Sequence, residues 1–267
     1  MRLTFGLFDS GVGGFTVLMQ VLRRYPLSSC LYLADTARVP YGDKGINEIR
    51  EIALEVTHWL RGQNVSFVLV GCNTTNSLAL DIVQREAGVP VVSLISSAAE
   101  MITKRRVGVL ATPATALSGA YKSEIELSSS DKIVFEQSCP AFVPMIEDGK
   151  IDSVELRRVA IKYLSPLLEA RVEEVVLGCT HYPLLEPLLR ELLPQEIRII
   201  DPAVGLADKL DKFLGPPVWR FNRRYSLAST RFCVTKDPLN FAARANDWLG
   251  ECPEVELVSL QQRSCFF

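Results

Sequence analysis

Cysteine is scarce: seven in 267 residues, an odd number. That excludes a disulfide-built scaffold, which needs denser and paired cysteines. Histidine is scarcer, with only His58 and His181, and no CxxC, HxH or HExxH spacing occurs. No metal site is therefore expected. No run of about 18 apolar residues lacks a charge or a proline, which argues against a membrane-spanning helix. Charge of one sign is lacking too: 29 basic and 31 acidic side chains leave −2. With no basic field to neutralise phosphates, no nucleic acid is expected as a partner. Glycine and proline, 16 and 15, are too few for a collagen-like chain. The N-terminal stretch turns polar at Asp9, too early for the apolar part of a signal peptide. The expectation is a soluble, cytoplasmic protein with reduced thiols and no membrane partner.

What is present is an ordinary folded composition, 48% apolar and 22% charged. The length suits one large domain or two small ones. Short apolar runs at 3–8, 30–34, 65–71, 90–95, 106–111, 132–137, 173–178 and 197–200 read as strands. Several are too continuous in Val, Leu and Ile to be half-exposed, which suits parallel strands covered on both faces. Amphipathic stretches lie between them. In 153–168, Leu156, Ala160, Tyr163 and Leu167 form one stripe. Thr112-Pro113 and Asp201-Pro202 read as an N-cap followed by a first-turn proline. The alternation predicts an α/β fold with mainly parallel sheets flanked by helices. The tail from about 216 to 267 is less regular.

One segment echoes another. Val68-Leu69-Val70-Gly71-Cys72-Asn73-Thr74 resembles Val175-Val176-Leu177-Gly178-Cys179-Thr180-His181. Each is an apolar strand ending in Gly-Cys and then small polar residues. Two related α/β halves would each present one thiol beyond a strand's carboxyl end, where open α/β sheets bind ligands. A helix start just after each cysteine favours thiolate. Cys30, Cys139, Cys233, Cys252 and Cys265 lack this setting and read as structural. His181 can pair with Cys179 as base, tune its thiol or protonate a substrate carboxylate. His58, beside Trp59, reads as a surface or packing residue. Asp9-Ser10-Gly11-Val12-Gly13-Gly14 follows the first strand, but Thr16 stands where a dinucleotide fingerprint needs glycine. It reads instead as a glycine turn bringing backbone N–H groups and Ser10 to an anionic ligand. Asp9 beside it would serve as a base or an ammonium partner. Pro40-Tyr41-Gly42, Thr112 and Thr115 fall at the same predicted sheet edge.

The segments DSGVGGFTVL (9–18), YLADTARVPYGDKG (32–45), VGCNTTNSLA (70–79), ATPATALSGAY (111–121), CPAFVPMIEDG (139–149) and VVLGCTHYPLL (175–185) resemble those of the glutamate racemase family. The likeness runs in order from about residue 5 to 205 and loosens after 216. It implies a racemase, needing no cofactor and no metal, that supplies D-glutamate for peptidoglycan, with L- and D-glutamate as its small-molecule partners. It implies two pseudo-symmetric α/β domains, 1–96 with 206–267 and 97–205, with the site in the cleft between them, and often a homodimer. By position, Cys72 would act on D-glutamate and Cys179 on L-glutamate. Asp9, Glu147 and His181 would assist proton transfer. Asp9, Ser10, Pro40, Tyr41, Gly42, Asn73, Thr74, Thr112, Thr115, Thr180 and His181 would hold substrate.

Thr75-Asn76 departs from the family, many members having smaller residues there, which bears on packing behind Cys72. The N-terminal extension of some regulated members is missing, so regulation of that kind is not expected. The chemistry is consistent with two thiols, since racemisation needs a base on one face of the carbon and an acid on the other. A pyridoxal enzyme would need a Schiff-base lysine, and the quoted segments hold only Lys44, in a turn. The alternatives are a related racemase for aspartate or a hydantoin, a Cys–His hydrolase built on Cys179 and His181, and a non-catalytic amino-acid-binding protein.

Overall fold

The computed structural model describes residues 3–215 and 226–260. The strands are β1 Thr4–Asp9, β2 Ser29–Ala34, β3 Phe67–Val70, β4 Val91–Ser93, β5 Arg106–Ala111, β6 Ile133–Ser138, β7 Glu174–Gly178, β8 Arg198–Ile200, β9 Thr230–Val234 and β10 Val255–Leu257. The helices are α1 Phe15–Arg24, α2 Ile46–Arg61, α3 Asn73–Glu86, α4 Leu94–Met101, α5 Pro113–Ser118, α6 Ala120–Ser128, α7 Phe142–Glu147, α8 Val154–Glu169, α9 Glu186–Leu192, α10 Pro202–Lys209, α11 Asp211–Leu214 and α12 Pro238–Leu249. Two sheets result, ordered β10-β9-β2-β1-β3-β4 and β6-β5-β7-β8. Every strand pair is parallel.

All eight expected strands are present. β1, β3, β5 and β7 are buried along nearly their whole length, as strands covered by helices on both faces must be. The expected run 90–95 splits: β4 ends at Ser93, whose side chain caps α4 by accepting from Ser96 N–H. Thr112 and Asp201 cap α5 and α10, each with proline in the first turn. In α8 the stripe runs through Leu164 rather than Tyr163. Leu164 lies four residues after Ala160 and is fully buried, whereas Tyr163 sits half-exposed at the edge with its ring 5.1 Å from Phe142.

The chain end is more regular than its composition suggests. β9 pairs with β2 from Cys30↔Thr230 to Ala34↔Val234, and β10 pairs with β9. Phe241, Ala245 and Leu249 of α12 enter the same core as Phe5, Phe15 and Tyr32. Phe266, Phe267 and Cys265 lie outside the described residues. The expected boundaries at 96/97 and 205/206 fall inside α4 and α10, which pack on one another. Ile95, Ala98 and Ala99 of α4 join the core of the second sheet, while Ala203, Leu206 and Leu210 join that of the first. Each helix therefore crosses from its own sheet to the other, which ties the lobes together. No helix among the described residues is long and apolar enough to cross a membrane.

Candidate active site

The echo seen in the sequence is a structural equivalence. β3 lies beside β1 and β7 beside β5; Gly71-Cys72 follows the last residue of β3, and β7 ends at Gly178 just before Cys179. A Cβ on Gly71 would approach the Phe8 carbonyl oxygen to 3.0 Å, and one on Gly178 the Leu110 carbonyl oxygen to 2.8 Å. Only glycine lets each strand end so close to its neighbour's backbone, and the next residue is then thrown to the sheet edge. Cys72 becomes the N-cap of α3, while Cys179 precedes a 3₁₀ turn at Tyr182–Leu185.

Both sulfurs line one cavity of about 220 Å³ between the lobes. Ser10, Gly11, Pro40, Tyr41, Gly42, Asn73 and Thr74 line it from the first lobe, and Thr112, Cys139, Glu147, Thr180 and His181 from the second. Asp9 and Thr115, expected at the site, lie one layer behind. The Thr180 hydroxyl donates to Asp9 Oδ2 at 3.3 Å, and Thr115 Oγ1 lies 3.0 Å from Thr112 Oγ1. The glycine turn differs from expectation: Gly11 N–H is already taken by Asp9 Oδ1 at 2.9 Å. Thr16, the residue that breaks the dinucleotide pattern, lies 3.0 Å from the carbonyl oxygens of Gly13 and Thr180 and ties this turn to the second lobe.

Further contacts cross the cleft floor. Tyr121 donates to Asn73 Oδ1 at 2.6 Å, and Thr74 and Thr112 place their hydroxyl oxygens 3.3 Å apart. Tyr41 is anchored from behind, donating to Asp35 Oδ2 at 2.6 Å. The Asn76 amide donates to the carbonyls of Val70 and Cys72 and accepts from Leu94 N–H, fastening the turn that carries Cys72 to the start of α4.

Burial favours the neutral forms here. Burial, and then the neighbouring Asp9, push the Cys72 thiol up to about 11. Burial likewise raises Cys179 well above the usual thiol range, opposed by the His181 backbone N–H. Asp9 is raised by burial against the Gly11 N–H and the nearby His181. Glu147 goes the other way. Burial works against its charge, but His181 and Arg244 outweigh burial and hold the carboxyl at about 2.

The geometry behind that is a chain of contacts. His181 Nδ1 lies 3.9 Å from Cys179 Sγ, and Nε2 lies 2.9 Å from Glu147 Oε1. Arg244 donates to Glu147 Oε2 at 2.9 Å and to the Glu147 backbone carbonyl at 2.7 Å. Trp248, one turn further along α12, stands edge-on to the His181 ring at 5.6 Å. Arg244 and Trp248 belong to the chain end that composition left unread. The signal was present: Asp237-Pro238 repeats the cap-and-proline pattern, and Gly250 follows Leu249 as a left-handed stop. That Arg244 meets Glu147 was not readable, because the two are brought together only by the fold.

Of the other cysteines, Cys30 and Cys233 are buried in the first lobe and Cys252 is exposed. Cys139 is buried and also lines the cavity. His58 pairs with Glu86 at 3.3 Å, away from the cleft. No group of three His, Cys, Asp or Glu among the described residues is arranged to hold a metal ion.

Two parallel α/β lobes, with one thiol on each wall of the cleft between them, are the fold of a racemase class, and the Asp/Glu/hydantoin racemase family model matches residues 16–210. The chain belongs to the Asp/Glu/hydantoin racemase family. Its relatives there are glutamate racemases: one from Synechococcus sp. (strain CC9605) is 57% identical, with 94% of this chain and 96% of that protein covered. One from Prochlorococcus marinus (strain NATL2A) is 47% identical, with 97% of each covered. Among solved structures, glutamate racemase from Francisella tularensis in complex with D-glutamate superposes with a TM-score of 0.88 at 32% identity, over 97% of this chain and 98% of that one. That from Thermus thermophilus gives 0.84 at 36% identity, with the same coverage.

Arg244→Ala should lower kcat roughly tenfold while the fold persists, because Glu147 loses its two-pronged anchor and His181 its fixed orientation. Arg244→Lys, which cannot form the fork, should recover only part. Steady-state polarimetry on both variants checks this.

Proposed function

We propose that the protein interconverts L- and D-glutamate without a cofactor, by passing the α-proton between Cys72 and Cys179, and so supplies D-glutamate for peptidoglycan. The observation that carries the reading is the pair of sulfurs on opposite walls of one small interlobe cavity. From D-glutamate, the Cys72 thiolate takes the α-proton. The C–H bond breaks, an S–H bond forms, and the electron pair is delocalised into the carboxylate. The Cys179 thiol then delivers its proton to the other face and is left as thiolate. From L-glutamate the roles reverse.

Burial makes both thiols resist ionisation, and the substrate ammonium is the counter-charge suited to the thiolate. The hydroxyls of Thr74, Thr112 and Thr180, with Ser10 and Asn73, are the neutral donors suited to the substrate carboxylates. Thr115 acts through Thr112. Asp9 reaches the reaction through Thr180 and its field on both sulfurs. His181 serves the Cys179 side, with Glu147 held ionised as its acceptor. A hydrolase built on Cys179 and His181 would leave Cys72 without a task. A cytoplasmic location and a homodimeric state belong to the same proposal; light scattering on the purified protein reads the second.

Incubation with L-glutamate in D₂O, without added cofactor, tests the reading. Deuterium at the α-carbon together with decay of the circular dichroism signal is the expected result. Exchange with aspartate but not glutamate would keep the mechanism and change the substrate; exchange with neither would overturn both.

Glu147 also has a consequence for stability. Its carboxyl is held at about 2 against an ordinary 4.5. Its depressed value stabilises the fold fully above about pH 4.5, and this contribution is lost as the pH falls toward 2. Urea midpoints of Glu147→Gln should therefore fall less steeply than those of the parent protein across that interval.

A further inference from the structure

Thr75 follows the Cys72-Asn73-Thr74 run, and the mechanism above gives it no part. It is the third residue of α3 and is fully buried. Its hydroxyl has no hydrogen-bond partner among the described residues. A helical threonine usually turns its hydroxyl to a carbonyl one turn back, as Thr57 does with Ala53 at 2.6 Å. An orphaned buried donor is costly and calls for an explanation.

Thr75 lies three residues after Cys72, so on the first turn of α3 its side chain leans back toward the residue that carries the sulfur, and its hydroxyl and the backbone N–H groups of Thr74 and Thr75 all favour a charge there. Cys72 holds the N-cap position of α3, and its side chain makes no capping hydrogen bond. As a thiol the sulfur is a weak acceptor, and neither a capping hydrogen bond to it nor a partner for the Thr75 hydroxyl is formed. A thiolate is a strong acceptor. Asn76, next in the chain, is committed to Val70, Cys72 and Leu94 backbone groups and does not compete. The titratable groups around the sulfur are Asp9 on β1, Tyr32 on β2, Tyr41 in the 40–42 turn and Cys179 across the cleft. These four become negative when they ionise and so oppose a charge on Cys72, while His181, the one group in the cavity that becomes positive among those named, pairs with Glu147 on the Cys179 side. At Cys179, by contrast, the sulfur meets the His181 backbone N–H and ring Nδ1, and no orphaned buried hydroxyl among the described residues belongs to its turn.

We propose that Thr75 is a positioning residue whose hydroxyl donates to the Cys72 thiolate, biasing the shared negative charge of the two sulfurs toward Cys72. This rests on the two-thiol reading, but its test uses no turnover. In the full-length Cys179→Ser protein, the rate of Cys72 alkylation by iodoacetamide at pH 8 is followed by peptide mass spectrometry, with Cys139 in the same cleft as internal reference. Loss of one charge-assisted hydrogen bond raises the thiol by about one pH unit. The thiolate fraction then falls about tenfold, partly offset by greater intrinsic nucleophilicity. Thr75→Val should therefore slow Cys72 about three- to tenfold relative to Cys139, and Thr75→Ser should restore the rate. The thermal midpoint of Thr75→Val should not drop, since the substitution removes an orphaned hydroxyl. Thr75→Ala, which keeps a good helix former, should show the same slowing if the valine variant misfolds. An unchanged Cys72 rate in a folded variant lacking the hydroxyl would overturn the proposal, as would failure of serine to restore it.

Discussion

Cys72→Ser and Cys179→Ser should each reduce racemisation by about three orders of magnitude, with glutamate still bound. Serine preserves shape and burial, so the cavity persists. What changes is the acid–base group. A positioned general acid or base contributes about 10²–10⁴-fold, and burial already holds both thiols well above their ordinary value. A hydroxyl in the same surroundings is further still from ionising. The equilibrium constant between enantiomers is one, so kcat/KM must fall by the same factor in both directions whichever sulfur is replaced. Any asymmetry can appear only in kcat and KM separately. Circular dichroism starting from each enantiomer measures all of these, and calorimetry with D-glutamate establishes that binding survives. Near-full turnover in either variant would sink the two-thiol mechanism.

How much of this was legible beforehand follows from the kind of signal each element carries. β1, β3, β5 and β7 are central strands buried on both faces, so their apolar runs announced them. β9 and β10 have five and three residues with mixed burial, too little pattern to separate from a loop. The two Gly-Cys strand ends were readable as an echo, and the fold explains the glycine in each by the carbonyl it must pass. Glu147 came only through resemblance to a family. Its partner Arg244 could not, since an arginine on an exposed helical period looks like any solvated charge until the chain end folds over the second lobe. The glycine turn at 9–14 suggests N–H groups held out to an anion, but the Gly11 N–H donates to Asp9 Oδ1, a pairing that the fold and not the spacing determines.

Gly13→Ala should lower kcat/KM by about a hundredfold without removing a single polar group. A Cβ at Gly13 would lie 2.5 Å from both Thr180 Oγ1 and His181 Nδ1. Neither can yield freely: Thr180 is bonded to Asp9, and His181 is held between Glu147 and the edge-on Trp248 ring. The added methyl must therefore push the 179–181 loop of the second lobe away from the first lobe. A displacement of about 1 Å is enough to cost roughly 10²-fold when two groups must address opposite faces of one carbon. Overpacking of this kind also destabilises by about 1–3 kcal/mol, which urea titration would read. Gly45→Ala is the control, since a Cβ there meets nothing within 4 Å, and it should leave activity unchanged. If Gly13→Ala matched that control, the interlobe spacing would not be what aligns Cys179 with Cys72, and the alignment would have to come from substrate binding instead.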